Sequence, residues 1–194
     1  MCFICNRIEM IKNETNPYFV KELETGYVVI GDNQHFNGYT IFLCKEHKTE
    51  LFQLDYSIKM KFLEEMSVVA EAVSNAFGAE KINYELLGNG DTHLHWHLFP
   101  RRTGDIDNYG NNGKGPVWWY PMHLMYDDSN RPTDDELNEM KQKLRIELDK
   151  LIKEKNPRTE VRGFKYALLI IQQQEQIQGK RQHKLRSRCM LQRR

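Results

Sequence analysis

The sequence predicts an α+β fold, an antiparallel sheet of about five strands with a covering helix, plus a C-terminal helix. Three observations predict it. Short runs rich in aromatic and β-branched residues flank one long stretch of helical apolar spacing. Turn residues separate the strand-like runs, and the order of three strands, one helix and two strands suits a sheet covered on one face.

The first strands are predicted near Tyr18–Lys21, Tyr27–Ile30 and Tyr39–Cys44, with Gly31-Asp32-Asn33 and Asn37-Gly38 supplying turns between the last two. A helix follows over Ser57–Phe77, because Ile58, Phe62, Met66, Val69, Val73 and Phe77 recur every three or four residues. Asp55 is its candidate N-cap and Gly78 its stop. Strands near Ile82–Leu87 and His93–Phe99 come next, and Pro100 ends the second. Residues 101–132 are rich in Gly, Asn, Asp and Pro, yet hold Trp118, Trp119, Tyr120 and Met122. A loop this long is often functional, although the two tryptophans would equally serve to pin it to the core. The last helix opens on the capping box Thr133-Asp134-Asp135-Glu136, and Leu137, Met140, Leu144, Leu148 and Leu151 form its apolar stripe.

Domain organisation follows from charge as well as pattern. Of the 194 residues, 40% are hydrophobic and 28% charged, with 28 Lys+Arg against 27 Asp+Glu. That balance conceals an acidic body, −7 over residues 1–160, and a basic, Gln-rich extension, +8 over 161–194. The expected division is 1–104, 105–160 and 161–194, the last read as a disordered extension. It lacks aromatic interleaving, so nucleic-acid binding is not expected. No apolar run approaches the roughly 20 residues that span a bilayer, the longest being Tyr166–Ile171. The start lacks the basic-then-apolar layout of a secretory signal, and four cysteines are too few for a disulfide scaffold. The expectation is a soluble, cytoplasmic protein.

Chemistry concentrates in His93-Leu94-His95-Trp96-His97-Leu98-Phe99-Pro100-Arg101. Side chains alternate along a strand, so His93, His95 and His97 are expected on one face, and Leu94, Trp96 and Leu98 on the other. Three of the seven histidines within five residues make an incidental polar face a poor explanation. Two uses fit three imidazoles: metal ligation, or nucleophilic attack by one of them on phosphorus.

His-x-His-x-His followed by two apolar residues and Pro-Arg resembles the HIT (histidine triad) superfamily of nucleotide hydrolases and transferases. Upstream, Val28-Val29-Ile30-Gly31-Asp32 and Gly38-Tyr39-Thr40-Ile41-Phe42-Leu43-Cys44-Lys45-Glu46-His47 resemble the first half of that family, and the likeness spans about residues 1–101. The resemblance implies catalytic roles for His95, as the nucleophile that takes up a nucleotidyl group from an α-phosphate, and for His97, which contacts the phosphate. It also implies that Asp32 binds the ribose hydroxyls, that no metal is demanded at the reacting phosphorus, and that the protein is a homodimer acting on a nucleotide substrate. Dinucleoside polyphosphates are the expected substrates; nucleoside phosphoramidates, or a non-catalytic nucleotide- or zinc-binding module, are the alternatives. A further reading places all three histidines on one catalytic ion.

The sequence departs from the family pattern at Gly88-Asn89-Gly90, where Gly-Gln followed by Ser or Thr is usual. Asn89 retains an amide donor of shorter reach, and Thr92 or Asp91 is a candidate to compensate, although Asp91 repels a phosphate unless it points away. Tyr39 stands where a histidine is common and Cys44 where a proline is.

Cys2-Phe3-Ile4-Cys5 has the spacing of a zinc-gripping pair, a redox pair or two plain thiols. The resemblance adds that some HIT branches bind structural zinc through this pair together with the histidines matching His47 and His93. His35 and His123 fall in turn- or loop-like segments and are expected to be solvated, and Cys189 to be a tail thiol.

Overall fold

The computed structural model describes residues 2–106 and 117–154. Residues 1–151 form one compact unit, and 152–194 a second, of which only 152–154 are described. The expected extension 161–194, Cys189 and part of the Trp-rich loop therefore lie outside the described residues.

The architecture is α+β, as the pattern predicts. Five strands, β1 (Phe19–Glu22), β2 (Gly26–Ile30), β3 (Thr40–Cys44), β4 (Lys81–Glu85) and β5 (His95–Arg101), form one antiparallel sheet ordered β1-β2-β3-β5-β4. β2 and β3 are buried over nearly their whole length, as the central strands of a sheet covered on both faces should be.

Two helices do the covering. The long helix, here α2 (Tyr56–Phe77), buries Phe62, Val68, Val69, Ala72 and Val73, and stacks Phe62 on Phe42 of β3 at 5.0 Å. Asp55 occupies its N-cap position without a side-chain cap bond, and Gly78 ends it in the left-handed conformation with φ of 65°. The other face carries a helix absent from the expectations above, α1 (Phe3–Lys12). Its Ile4, Ile8 and Ile11 recur at helical spacing and pack on Tyr27, Val29 and Leu43. Each buried isoleucine contributes about 1.5–3 kcal/mol.

Loops complete the second face. Gln34 donates from its side chain to the carbonyls of Gly31 (2.7 Å) and Tyr39 (3.0 Å), closing the β2–β3 turn. That turn holds the segment 117–132 through Gln34 N–H to the Asn130 carbonyl (2.7 Å) and the Asn33 amide to the Asp127 carbonyl (3.2 Å). A short helix, α3 (Met122–Met125), lies within this segment. The final helix, α4, runs over 134–154, opened by the expected capping box, with Thr133 Oγ1 and Glu136 bonded reciprocally. Its Leu137, Met140, Leu144, Leu148 and Leu151 are buried, and Arg145 reaches the Val20 carbonyl of β1 at 2.6 Å.

Strand β5 begins at His95, two residues later than predicted. His93 precedes it but stays in register, because Leu94 bonds Cys44 N–H and the Lys48 carbonyl.

Candidate active site

The antiparallel register pairs His95 with Leu43 and His97 with Ile41, so both imidazoles stand on the α1 face of the sheet, while Trp96 and Leu98, paired with Phe42 and Thr40, face α2. The alternation expected from the sequence is present. All three triad histidines are buried, at 1%, 5% and 9% exposure for His93, His95 and His97.

They do not converge on one point. His95 donates from Nδ1 to the His93 carbonyl at 2.5 Å, and its Nε2 faces His97 Nε2 at 2.9 Å. His97 Nδ1 lies 2.5 Å from the Tyr39 hydroxyl. Burial holds His95 below the ordinary histidine pKa, and burial with the neighbouring His95 pushes His97 down to about 3. Both rings are therefore neutral near pH 7. Trp118 stands edge-on to His97 at 5.1 Å and to Phe99 at 5.9 Å, so the loop that the sequence marked as functional or pinned reaches the triad. The Trp119 side chain lies outside the described residues.

His93 faces elsewhere. Its Nδ1 lies 3.2 Å from His47 Nδ1, 3.4 Å from Cys5 Sγ and 3.8 Å from Cys2 Sγ, and Cys5 Sγ is 3.2 Å from His47 Nδ1. One ligand atom from each of Cys2, Cys5, His47 and His93 falls within 4.8 Å of all the others. A tetrahedral zinc with bonds of about 2.0 Å to nitrogen and 2.3 Å to sulfur sets its ligands roughly 3.3–3.8 Å apart. The four residues fit such an ion. His93 Nε2 donates to the Cys44 carbonyl at 2.8 Å, which leaves Nδ1 bare and fixes the ring, as a carbonyl behind a metal-ligating histidine does.

Asp32, at the end of β2, is ion-paired through Oδ2 with Arg7 of α1, whose guanidinium lies over Phe3 and Tyr18. Asp32 Oδ1 is buried without a hydrogen-bond partner among the described residues. Asn89 and Thr92 are exposed and line a cleft of about 260 Å³ with Thr49, Leu87 and His93. Burial holds His93, like His95, below the ordinary histidine pKa, and nearby Asp91 opposes this only weakly.

Residues 13–104 match the family model for the HIT domain. This segment is a HIT domain. Solved structures of the same fold include a histidine triad protein from Marinobacter aquaeolei VT8 (25% identity, TM-score 0.57, covering 69% of this chain and 89% of that one). A HIT protein from Sinorhizobium meliloti 1021 is 23% identical over 68% of this chain and 91% of its own, with TM-score 0.55. A zinc-bound histidine triad family protein from Mycobacterium smegmatis is 18% identical over 78% and 96%, with TM-score 0.51. Comparison with curated proteins gives no match.

Within this HIT protein, Cys2, Cys5 and Arg7 precede the matched domain and Trp118 follows it, yet all four side chains meet residues of the domain. Sequence reasoning missed Arg7, whose link to Asp32 spans 25 positions, and noted Tyr39 as a departure without seeing its bond to His97. The Ile4-Ile8-Ile11 spacing was the signal for Arg7, since it places that residue on a helix. His35, expected to be solvated, is half-buried and stacked on Tyr120 at 4.7 Å, because the 117–132 segment folds over the β2–β3 turn; His123 is exposed as expected.

Proposed function

We propose that this HIT protein is a nucleotide hydrolase or transferase that attacks an α-phosphate through His95, with dinucleoside polyphosphates as substrates. One observation carries the reading: His95 Nδ1–H is committed to the His93 carbonyl, so its Nε2 lone pair is the free nucleophile of a neutral imidazole. In the step, Nε2 forms a bond to the α-phosphorus, and the bridging P–O bond breaks with its electron pair leaving on the departing phosphate. Water then attacks the phosphorus, the N–P bond breaks with its pair returning to Nε2, and one proton of the water passes to solvent.

His97 Nε2–H, which meets His95 Nε2 before substrate arrives, turns its proton towards a phosphate oxygen and stabilises the charge there. Asp32 Oδ1 accepts from the ribose hydroxyls, and Arg7, paired with Oδ2, holds the carboxylate in place. Asn89 and Thr92, in the exposed segment before the catalytic strand, would donate to the substrate's phosphates. Trp118 covers the side where the leaving group departs.

Cys2, Cys5, His47 and His93 would hold a structural zinc ion that ties α1 to the catalytic strand. A single catalytic ion on all three triad histidines is disfavoured, because His93 Nδ1 faces the cysteines while His95 and His97 face each other. A homodimer is supported by β4, an edge strand with exposed Tyr84 and Leu86–Leu87 beyond it, and by exposed Phe52, Tyr56 and Met60.

His95→Ala is expected to lower turnover of a dinucleoside polyphosphate by at least about 10³-fold while leaving nucleotide binding in place. Acid quenching of the wild-type reaction should trap a nucleotidyl-histidine at residue 95. Undiminished activity in the variant would reject the mechanism.

A further inference from the structure

Tyr39 occupies a position that nothing in the mechanism above requires. Its ring is 7% exposed, stacked on Phe99 at 4.2 Å and 3°, and close to parallel with His97 at 5.9 Å and 14°. Gly31 makes room for it, since a Cβ at that position would stand 2.2 Å from the ring. The hydroxyl ends a row of contacts: Tyr39 Oη to His97 Nδ1 at 2.5 Å, His97 Nε2 to His95 Nε2 at 2.9 Å, His95 Nδ1 to the His93 carbonyl at 2.5 Å.

The proton count along that row closes in one way. A carbonyl only accepts, so His95 carries its hydrogen on Nδ1 and has a bare Nε2. Two bare nitrogens do not meet at 2.9 Å, so His97 carries its hydrogen on Nε2. Neutral His97 then has a bare Nδ1, and the Tyr39 hydroxyl donates to it.

Resting on the assignment of His95 as nucleophile, we propose that Tyr39 sets the leaving-group specificity of the site. It confines His97 to donating a hydrogen bond without giving up the proton, so the site turns over α-phosphate substituents that depart as anions, as a phosphoanhydride does, and not amines. An amine must collect a proton as its P–N bond breaks. If His97 Nε2–H supplied it, His97 would refill from the Tyr39 hydroxyl at Nδ1, leaving a phenolate in a buried, apolar place. Burial together with Tyr126, Asp32 and Glu85 opposes that phenolate, and Arg7 acts weakly the other way. A phosphate leaving group needs no such proton, so Tyr39 and His97 each keep theirs through the step.

The test compares an adenosine 5′-phosphoramidate with an alkylamine leaving group and a diadenosine polyphosphate, on the full chain and three variants. Wild type is expected to favour the anhydride in kcat/KM by about 10²-fold or more, the usual worth of a positioned acid being what the amine lacks. Tyr39→His, which can enter as imidazolium and end neutral, is expected to narrow that ratio by roughly tenfold or more through gain on the phosphoramidate. Tyr39→Phe keeps the packing and removes the donor. In ¹⁵N NMR, His97 should then gain Nδ1-protonated population that wild type lacks. A wild-type preference for the phosphoramidate, an unmoved ratio in Tyr39→His, or an unchanged His97 tautomer in Tyr39→Phe overturns the proposal. His95→Ala separates the two levels: its inactivity alongside any of those results sinks the leaving-group assignment alone, whereas its full activity sinks the nucleophile and this inference together.

Discussion

His97 is the residue at which the fold's demands and the site's chemistry are hardest to separate. Its pKa of about 3 lies far below the ordinary histidine value of about 6.5 that it has in the unfolded chain. Between those values the unfolded chain binds a proton that the folded one refuses. Its contribution to stability is therefore fully present above about pH 6.5 and is lost as pH falls towards 3. Urea midpoints taken at pH 7, 5 and 4 should fall steeply for wild type and less steeply for His97→Gln. Parallel slopes would show that the ring is not held neutral by the fold. The triad itself was readable from spacing alone, because strand alternation is a local rule. Which nitrogen each ring protonates was not, since that depends on Tyr39 and the His93 carbonyl, brought in by pairing of β3 with β5.

At the scale of elements, α1 is the instructive case. Its three isoleucines follow a plain helical period, but they span barely two turns in a segment with no side-chain cap bond, which makes it a weak local signal. Strand and α2 boundaries fell within one or two residues for most elements, because β-branched runs and a left-handed Gly78 are local signals. The ion pair between Arg7 and Asp32 joins separate elements and leaves no local trace. Cys5→Ser should reduce bound zinc from near one equivalent to well below it in protein purified without chelator, measured by elemental analysis; full retention would exclude the four-residue site. The β2–β3 turn offers a second test. Gly38 has φ of 95°, and a Cβ there would lie 2.4 Å from Phe77 of α2, so Gly38→Ala should lower thermal stability by at least about 1 kcal/mol. An unchanged melting temperature would mean that the turn relaxes without strain.

For the whole molecule, the sheet ends on β4 with an open edge, flanked by exposed aromatic and aliphatic side chains. Light scattering coupled to size exclusion is expected to give twice the chain mass, and Tyr84→Lys with Leu87→Lys should return the monomer. A monomeric wild type at micromolar concentration would remove the dimer. Among the described residues no helix is long and apolar enough to cross a membrane. The core could be foreseen in outline because its strands and α4 stripe carry their burial in their own pattern. What closes over the triad could not, since Trp118 arrives through hydrogen bonds between two loops that are each polar and irregular.

The fit between Gly31 and the Tyr39 ring also ties the two positions together. A methyl group at 31 would push the phenol off its stack on Phe99 and with it the hydroxyl away from His97, so a change at either residue is felt at the other.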